Sequence, residues 1–114
     1  MNDVSEKLAQ LRRGLLEVAV LSVVSGGQVY AADILAALRR TDLATGEGTL
    51  YPLLSRLRRE GLIDYAWVES EAGPPRKYYQ LTDTGRWQLD QMRTYWQELT
   101  TTITRLGGAD EQSS

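Results

Sequence analysis

The sequence predicts a mainly α-helical fold with one small β-hairpin, on the evidence of three patterns in its 114 residues. Apolar side chains recur every three or four residues in four separate segments, which is the spacing of amphipathic helices. Between the third and fourth segments, two short stretches alternate in polarity on either side of a Pro/Gly turn, as hairpin strands do. Cations concentrate on the third helix and on the second strand. At this length we expect one domain, near the size at which association adds stability.

The first helix is expected over residues 4–24. An apolar stripe with helical spacing marks one side of it: Val4, Leu8, Leu11, Leu15 and Val18. From Leu15 onward almost every side chain is apolar, so this helix needs cover on most of its sides. We expect one face to pack on its own domain and another to pack on a partner. Gly26 and Gly27 end the helix.

The second helix is expected over residues 30–40, with two arginines at its C-terminal end, where the helix dipole favours cations. The third begins between Thr45 and Thr49, and either threonine is a suitable N-cap. Its buried face consists of leucines: Leu50, Leu53, Leu54 and Leu57. The opposite face consists of Thr49, Pro52, Ser55, Arg56 and Arg59. Pro52 has no backbone donor, so it belongs near the helix start or marks a kink.

The hairpin follows, with strands over residues 63–68 and 76–81 and a turn over residues 69–75. Ile63, Tyr65 and Trp67 share one side of the first strand, because side chains alternate along a strand. Lys77, Tyr79 and Leu81 share a face of the second. We interpret Ile63, Tyr79 and Leu81 as core. A lone hairpin is only marginally stable, so this one must lie against the helices.

The last helix starts at Thr82 or Asp83, each a possible cap. Its apolar side chains follow a heptad: Leu89, Met92, Trp96, Leu99, Ile103 and Leu106. The rest of the helix is polar, so this seam is all that it has to bury. We interpret the seam as a dimer interface shared with the first helix; the alternative is packing on its own domain. Residues 107–114 are expected to be a disordered tail.

Charge is segregated along the chain, although the net charge is only -2. Three arginines stand between residues 49 and 60 against the single acid Glu60, and Arg76 with Lys77 opens the second strand. From residue 87 onward acids outnumber cations. A basic helix followed by a basic hairpin is typical of a winged helix-turn-helix that binds DNA. The alternative is that these arginines form a solvated helix face.

Several function classes are excluded or disfavoured by composition. The chain has no cysteine and no histidine. It therefore has no disulfide, no zinc site with Cys or His ligands, and no imidazole base to activate Ser22, Ser25 or Ser55. We expect no enzyme, no metal and no cofactor. The N-terminus lacks the cationic start and apolar run of a signal peptide, and no apolar stretch could span a bilayer, so we expect a cytoplasmic protein.

A resemblance to the PadR family of bacterial transcriptional regulators, in its short form with one C-terminal helix, rests on several motifs. They are Gly14-Leu15-Leu16-Glu17, Gly48-Thr49-Leu50-Tyr51-Pro52-Leu53-Leu54, Arg56-Leu57, Glu60-Gly61-Leu62-Ile63, Trp67, Glu69-Ser70, Gly73, Pro75-Arg76-Lys77-Tyr78-Tyr79-Gln80-Leu81-Thr82 and Gly85-Arg86. The resemblance covers residues 11–106. One departure is Tyr30-Ala31-Ala32-Asp33-Ile34, where the family usually has Tyr-Gly-Tyr-Glu-Ile.

The resemblance implies a homodimeric repressor that binds a near-palindromic operator and responds to a small, often aromatic effector held beside the C-terminal helices. The third helix would enter the major groove, with the wing near the minor groove. A winged helix-turn-helix domain with its N-terminal helix would then occupy residues 1–81. A C-terminal dimerisation helix would occupy residues 82–106, followed by the tail.

The DNA-binding candidates are Thr49, Tyr51, Pro52, Ser55, Arg56, Arg59, Arg76 and Lys77. Arg56 and Arg59 can fork onto guanine or onto phosphate, whereas Arg58 is expected to lie off this face. Tyr51 reaches a phosphate or belongs to the core. Arg76 and Lys77 bind phosphate or, alternatively, pair with Glu69 or Glu71 across the hairpin.

The candidates for an effector and dimer interface are Leu89, Met92, Trp96, Leu99 and Ile103. Trp96 either packs only or also forms, with its symmetry mate, an aromatic slot for a flat ligand. A competing interpretation of the whole chain is a protein-interaction module that dimerises through the heptad helix and whose basic patch is incidental.

Overall fold

Four helices and a three-stranded antiparallel sheet form the fold in a computed structural model that describes residues 3–108. In chain order the elements are α1 (Ser5–Val24), β1 (Val29–Tyr30), α2 (Ala31–Arg39), α3 (Glu47–Arg59), β2 (Ile63–Val68), β3 (Arg76–Leu81) and α4 (Asp83–Leu106). The predicted mainly α-helical fold with a hairpin is confirmed. No helix among residues 3–108 is long and apolar enough to cross a membrane.

The sheet has one strand more than the sequence predicts. Its order is β1-β3-β2, so β3 is the central strand. In β1, Val29 pairs with Tyr79 and Tyr30 pairs with Tyr78. A strand of two residues is too short to show alternation in the sequence. β1 forms because its residues pair with the free edge of β3. The N-terminal end of α2 is thereby tied to the hairpin.

A single core joins all four helices to the sheet. Its fully buried side chains are Val20, Leu21, Val24, Ile34, Leu50, Leu54, Leu57, Leu62, Ile63 and Leu89. The predicted buried face of α3 is confirmed, with Leu53 only partly buried. Ile63 and Tyr79 are buried as predicted, and Leu81 is half-buried. This core fixes α3 and the hairpin relative to each other.

The start of α3 differs from the prediction. Gly46 is the N-cap residue and no side chain caps the helix, so neither Thr45 nor Thr49 has that role. Pro52 lies inside the helix, where its ring removes one backbone hydrogen bond to Gly48. The start of α4 is as expected: the Thr82 hydroxyl accepts a bond of 2.9 Å from the Gly85 amide.

The N-terminal part of α4 belongs to the core and the rest extends away from it. Leu89 is 1% exposed, so it packs in the core of its own chain and leaves almost no surface for a partner. Met92 packs against the core, whereas Trp96, Leu99, Ile103 and Leu106 are exposed. The radius of gyration is 17.5 Å, against about 13 Å for a compact domain of this length. Gly107 and Gly108 close the helix, and the rest of the expected tail lies outside the described residues.

Candidate functional site

The exposed face of α3 is lined by small side chains and one arginine. Leu50, Leu54 and Leu57 are buried, so positions at half-turn offsets point to solvent. These are Pro52, Ser55 and Arg59, all exposed. Pro52 and Ser55 leave the helix backbone accessible to a closely approaching surface. Arg59 forms no ion pair with any acid among residues 3–108. Its charge is therefore available to a ligand.

Arg56, on the flank of α3 that faces α1, is already occupied. Its Nη2 donates to Glu17 Oε1 at 2.8 Å and its Nη1 donates to Glu60 Oε2 at 3.0 Å. These bonds raise the pKa of the Arg56 guanidinium above its ordinary value, and the bond to Glu17 contributes most. Arg56 thus links α3 to α1 rather than standing free as the sequence suggests. Glu17 is 39 residues away along the chain, so no local pattern reveals the pair.

The two cations of β3 contact different aromatic rings. The Arg76 guanidinium lies over the Tyr30 ring at 3.7 Å from its centroid. The Lys77 ammonium lies 4.2 Å from the Tyr65 centroid and 5.2 Å from that of Trp67. Neither cation pairs with Glu69 or Glu71, both within the described chain. Their charges stay uncompensated and are held in place by aromatic faces.

Tyr51 is exposed and does not belong to the core. Its side chain is 47% accessible and lines a crevice with Tyr30, Trp67, Arg76 and Lys77. Of the two roles left open by the sequence, core packing is excluded. In the neighbouring core, burial raises the pKa of Tyr79, with smaller contributions from Tyr51 and Tyr65.

The eight DNA-binding candidates form one continuous surface, which we call the basic face. It consists of three concave regions. The first is a crevice between α3 and α1, lined by Thr49, Pro52, Arg56 and Arg59. The second is a cleft between α3 and the hairpin, lined by Ser55, Arg58, Arg59, Tyr65 and Lys77, and the third is the crevice lined by Tyr51, Arg76 and Lys77. Arg59 belongs to the first two regions and Lys77 to the last two. The sequence patterns did not indicate that Arg58 belongs to the basic face, or that Tyr30 and Tyr65 support its cations.

A second, mostly apolar groove of about 330 Å³ runs between α1 and α4. Met92, Tyr95, Trp96 and Leu99 form its α4 side, and Leu11, Leu15 and Val18 line its α1 side. It brings together three of the five residues predicted for an effector and dimer interface; Leu89 and Ile103 are not among its walls. Within residues 3–108, no group of three acidic side chains could hold a metal ion.

Comparison with known proteins agrees with this architecture. The model of the PadR-like transcriptional regulator family matches residues 20–91. A transcriptional regulator of Mycobacterium tuberculosis is 29% identical over 103 residues, which cover 89% of this chain and 92% of that protein. A PadR-like transcription factor structure from Bacteroides fragilis is 42% identical, with a TM-score of 0.76, over 89% of this chain and 98% of that one.

The PadR of Bacillus subtilis, solved in complex with operator DNA, is 25% identical with a TM-score of 0.64. The similarity covers 68% of this chain and 46% of that one. The family match spans more than half of the sequence, and the resemblance deduced from its motifs is confirmed. The chain belongs to the PadR-like family of transcriptional regulators.

Proposed function

We propose that this protein is a cytoplasmic repressor that binds a near-palindromic DNA operator as a homodimer and releases it when a small hydrophobic effector binds. The observation that carries the proposal is the basic face. Cations that pair with no acid among residues 3–108, Arg59, Arg76 and Lys77, collect on one surface of a chain whose net charge is negative. Such a concentration attracts a polyanion, because phosphate neutralisation dominates protein–DNA affinity.

The shape of the basic face fits duplex DNA. An α-helix fits the major groove, which is about 12 Å wide. The small side chains of Pro52 and Ser55 let α3 approach base edges, and Arg59 on the same face can fork onto guanine. Arg76 and Lys77 on the hairpin are offset to the side of α3, where they suit phosphates. The PadR of Bacillus subtilis was solved in complex with operator DNA, which supports duplex DNA as the ligand.

Dimerisation is supported by the apolar surface that a single chain leaves uncovered. On α1, Leu8 and Leu11 are exposed, and on α4 Trp96, Leu99 and Ile103 are exposed. Together with the groove between these helices they form an extended apolar surface. Patches of this kind mark interaction sites. Two copies related by a two-fold axis would cover it and present two α3 helices about one turn of DNA apart.

The direct experiment is a gel mobility shift on the DNA upstream of the protein's own gene, with unrelated duplex as competitor. We expect a discrete complex that survives an excess of unrelated DNA. If the protein is instead an interaction module with an incidental basic patch, the competitor will remove all binding at moderate salt, since only the sequence-independent electrostatic attraction then remains.

Arg59→Ala is expected to weaken operator binding by roughly 1–3 kcal/mol and to relax the preference at one base pair of each half-site. Arg56→Ala is the matched control, since it removes the same side chain one turn away. Its guanidinium is engaged by Glu17 and Glu60, so we expect a loss below about 1 kcal/mol, equal on all sequences. Titrations followed by fluorescence anisotropy measure both. The reverse order of effects would contradict this assignment.

Trp96→Ala is expected to abolish the effector response of the protein–DNA complex, compared at a protein concentration at which the variant still binds the operator. Trp96 lines the α1–α4 groove. A planar hydrophobic ligand would stack on it there and change the relative orientation of the two protomers. Such a ligand lowers DNA affinity only through its preference for one dimer shape. A panel of phenolic and polycyclic aromatic compounds, titrated against the protein–DNA complex, provides the measurement. Trp87→Ala, also exposed but outside the groove walls, is the control. Equal release by the same compounds in Trp96→Ala would exclude this slot.

A further inference from the structure

We propose that the cleft between α3 and the hairpin is a binding site for one phosphate of the DNA backbone, with Arg58 as a ligand. This proposal rests on the proposed function and adds to it a residue that the sequence places off the DNA-reading face. The cleft has a volume of about 380 Å³. Three cations line it, Arg58 and Arg59 from α3 and Lys77 from β3, together with the Ser55 hydroxyl.

A single aromatic ring holds two of these cations. The Arg58 guanidinium carbon lies 4.3 Å from the Tyr65 centroid, and the Lys77 ammonium lies 4.2 Å from the same point. The two cations are therefore no farther apart than the sum of these distances, 8.5 Å. Attraction to the ring face keeps both side chains in the cleft in spite of their mutual repulsion. Tyr65 acts as a positioning residue for the site.

No charge in the cleft balances this cluster. Of the residues that line it, all within the described range 3–108, none is acidic. Arg56 on the other flank of the same helix shows the contrast, because Glu17 and Glu60 both bind it. Cations no more than 8.5 Å apart lie within about one Debye length of each other at physiological salt, so they repel each other until an anion binds. A tetrahedral oxyanion that accepts from Arg, Lys and Ser together is the ligand that these donors fit.

The position of the cleft selects a backbone phosphate from among such anions. One wall of the cleft is α3, which we propose binds in the major groove. The other wall is the hairpin, which would lie beside the adjacent minor groove. In duplex DNA the sugar–phosphate backbone separates these two grooves. A strand bound in this way therefore passes through the cleft, and its phosphate meets Arg58 and Lys77 at once. Free inorganic phosphate shares the chemistry but lacks the neighbouring contacts.

The test uses Arg58→Ala in the full-length protein, with Arg58→Lys and Arg93→Ala as comparisons. Arg93 is an exposed arginine on α4, outside the three regions of the basic face. Affinities for a duplex selected by the wild-type protein and for an unrelated duplex are measured by anisotropy from 50 to 300 mM KCl. Arg58→Ala should weaken both duplexes by the same factor. It should lower the slope of log K against log salt by about 0.9 per cleft. Arg58→Lys and Arg93→Ala should keep the wild-type slope.

Three further measurements test whether the effect of Arg58 comes from contact with a backbone phosphate. Methylphosphonate substitutions placed one at a time along the half-site should reveal a position whose neutralisation weakens the wild-type complex but not the Arg58→Ala complex. Tyr65→Phe keeps the ring face and should bind as wild type does, whereas Tyr65→Leu should weaken both duplexes alike. Inorganic phosphate at 10 mM should displace DNA no more than potassium chloride of equal ionic strength does.

The outcomes distinguish this proposal from the proposed function. If the wild-type protein binds no duplex, the proposed function itself is wrong and the phosphate site fails with it. If the wild-type protein binds but Arg58→Ala retains the full salt slope, the protein binds DNA and the cleft does not bind a phosphate. A loss confined to the selected duplex would make Arg58 a base-reading residue and would also overturn the proposal.

Discussion

If the proposed dimer forms, Leu99→Asp combined with Ile103→Asp is expected to convert it into folded monomers and to abolish operator binding. Both side chains belong to the apolar seam of α4, and they are 37% and 69% exposed in a single chain. The fold of one chain therefore depends little on them, whereas a dimer formed through α1 and α4 would bury them. Unpaired carboxylates at such an interface cost several kcal/mol, and a loss of about 4 kcal/mol would weaken association about a thousandfold.

Sedimentation velocity at micromolar concentration checks this prediction, with circular dichroism to show that the helices remain. Gln97→Asp combined with Thr101→Asp is the matched control. It adds the same charge to the exposed side of α4 away from the seam, so it should sediment as the wild type does. If the Leu99 and Ile103 variant still sediments as a dimer and binds the operator, then the seam is not the interface.

Gly85→Ala is expected to destabilise the fold by about 3 kcal/mol or more, because overpacking of this severity forces the backbone to move. A Cβ at position 85 would lie 1.9 Å from the carbonyl oxygen of Leu62. That carbonyl cannot shift freely, since the Thr82 amide donates to it at 3.1 Å. Gly85 is buried where α4 begins, and its own amide donates to the Thr82 hydroxyl. The close approach of α4 to the start of β2 therefore requires glycine.

Gly14→Ala provides the contrast in a urea unfolding series. Gly14 lies in α1 with nothing within 4 Å of an added Cβ, so alanine there should stabilise the helix, by about 0.5–1 kcal/mol. Equal unfolding free energies for Gly85→Ala and the wild type would show that α4 does not pack against Leu62 as described.

The local patterns of the sequence predict the elements well because each depends on nearby residues. The leucine spacing of α3, the alternation of the hairpin and the cap at Thr82 are all visible in windows of a few residues. The observed helices begin and end within two residues of the expected bounds, since the apolar stripe that specifies each one is continuous.

Contacts between distant segments explain what the sequence missed. The short strand β1 exists only as a partner of β3, about fifty residues later. Arg56 is paired through Glu17 on another helix, and Arg76 is supported by the ring of Tyr30. Leu89 fits the heptad of α4 as well as Leu99 does, yet only the folded chain shows that Leu89 is in the core and Leu99 is exposed. Periodicity identifies an apolar face without showing what covers it.

Selection of bound duplexes from a random library, followed by sequencing, tests most directly the claim that this chain is a dimeric DNA-binding repressor. We expect enrichment of a near-palindrome with half-sites about one helical turn apart. We also expect Arg59→Ala to enrich the same palindrome with one position of each half-site relaxed. Enrichment of a single unpaired half-site, or of no sequence at all, would contradict this claim.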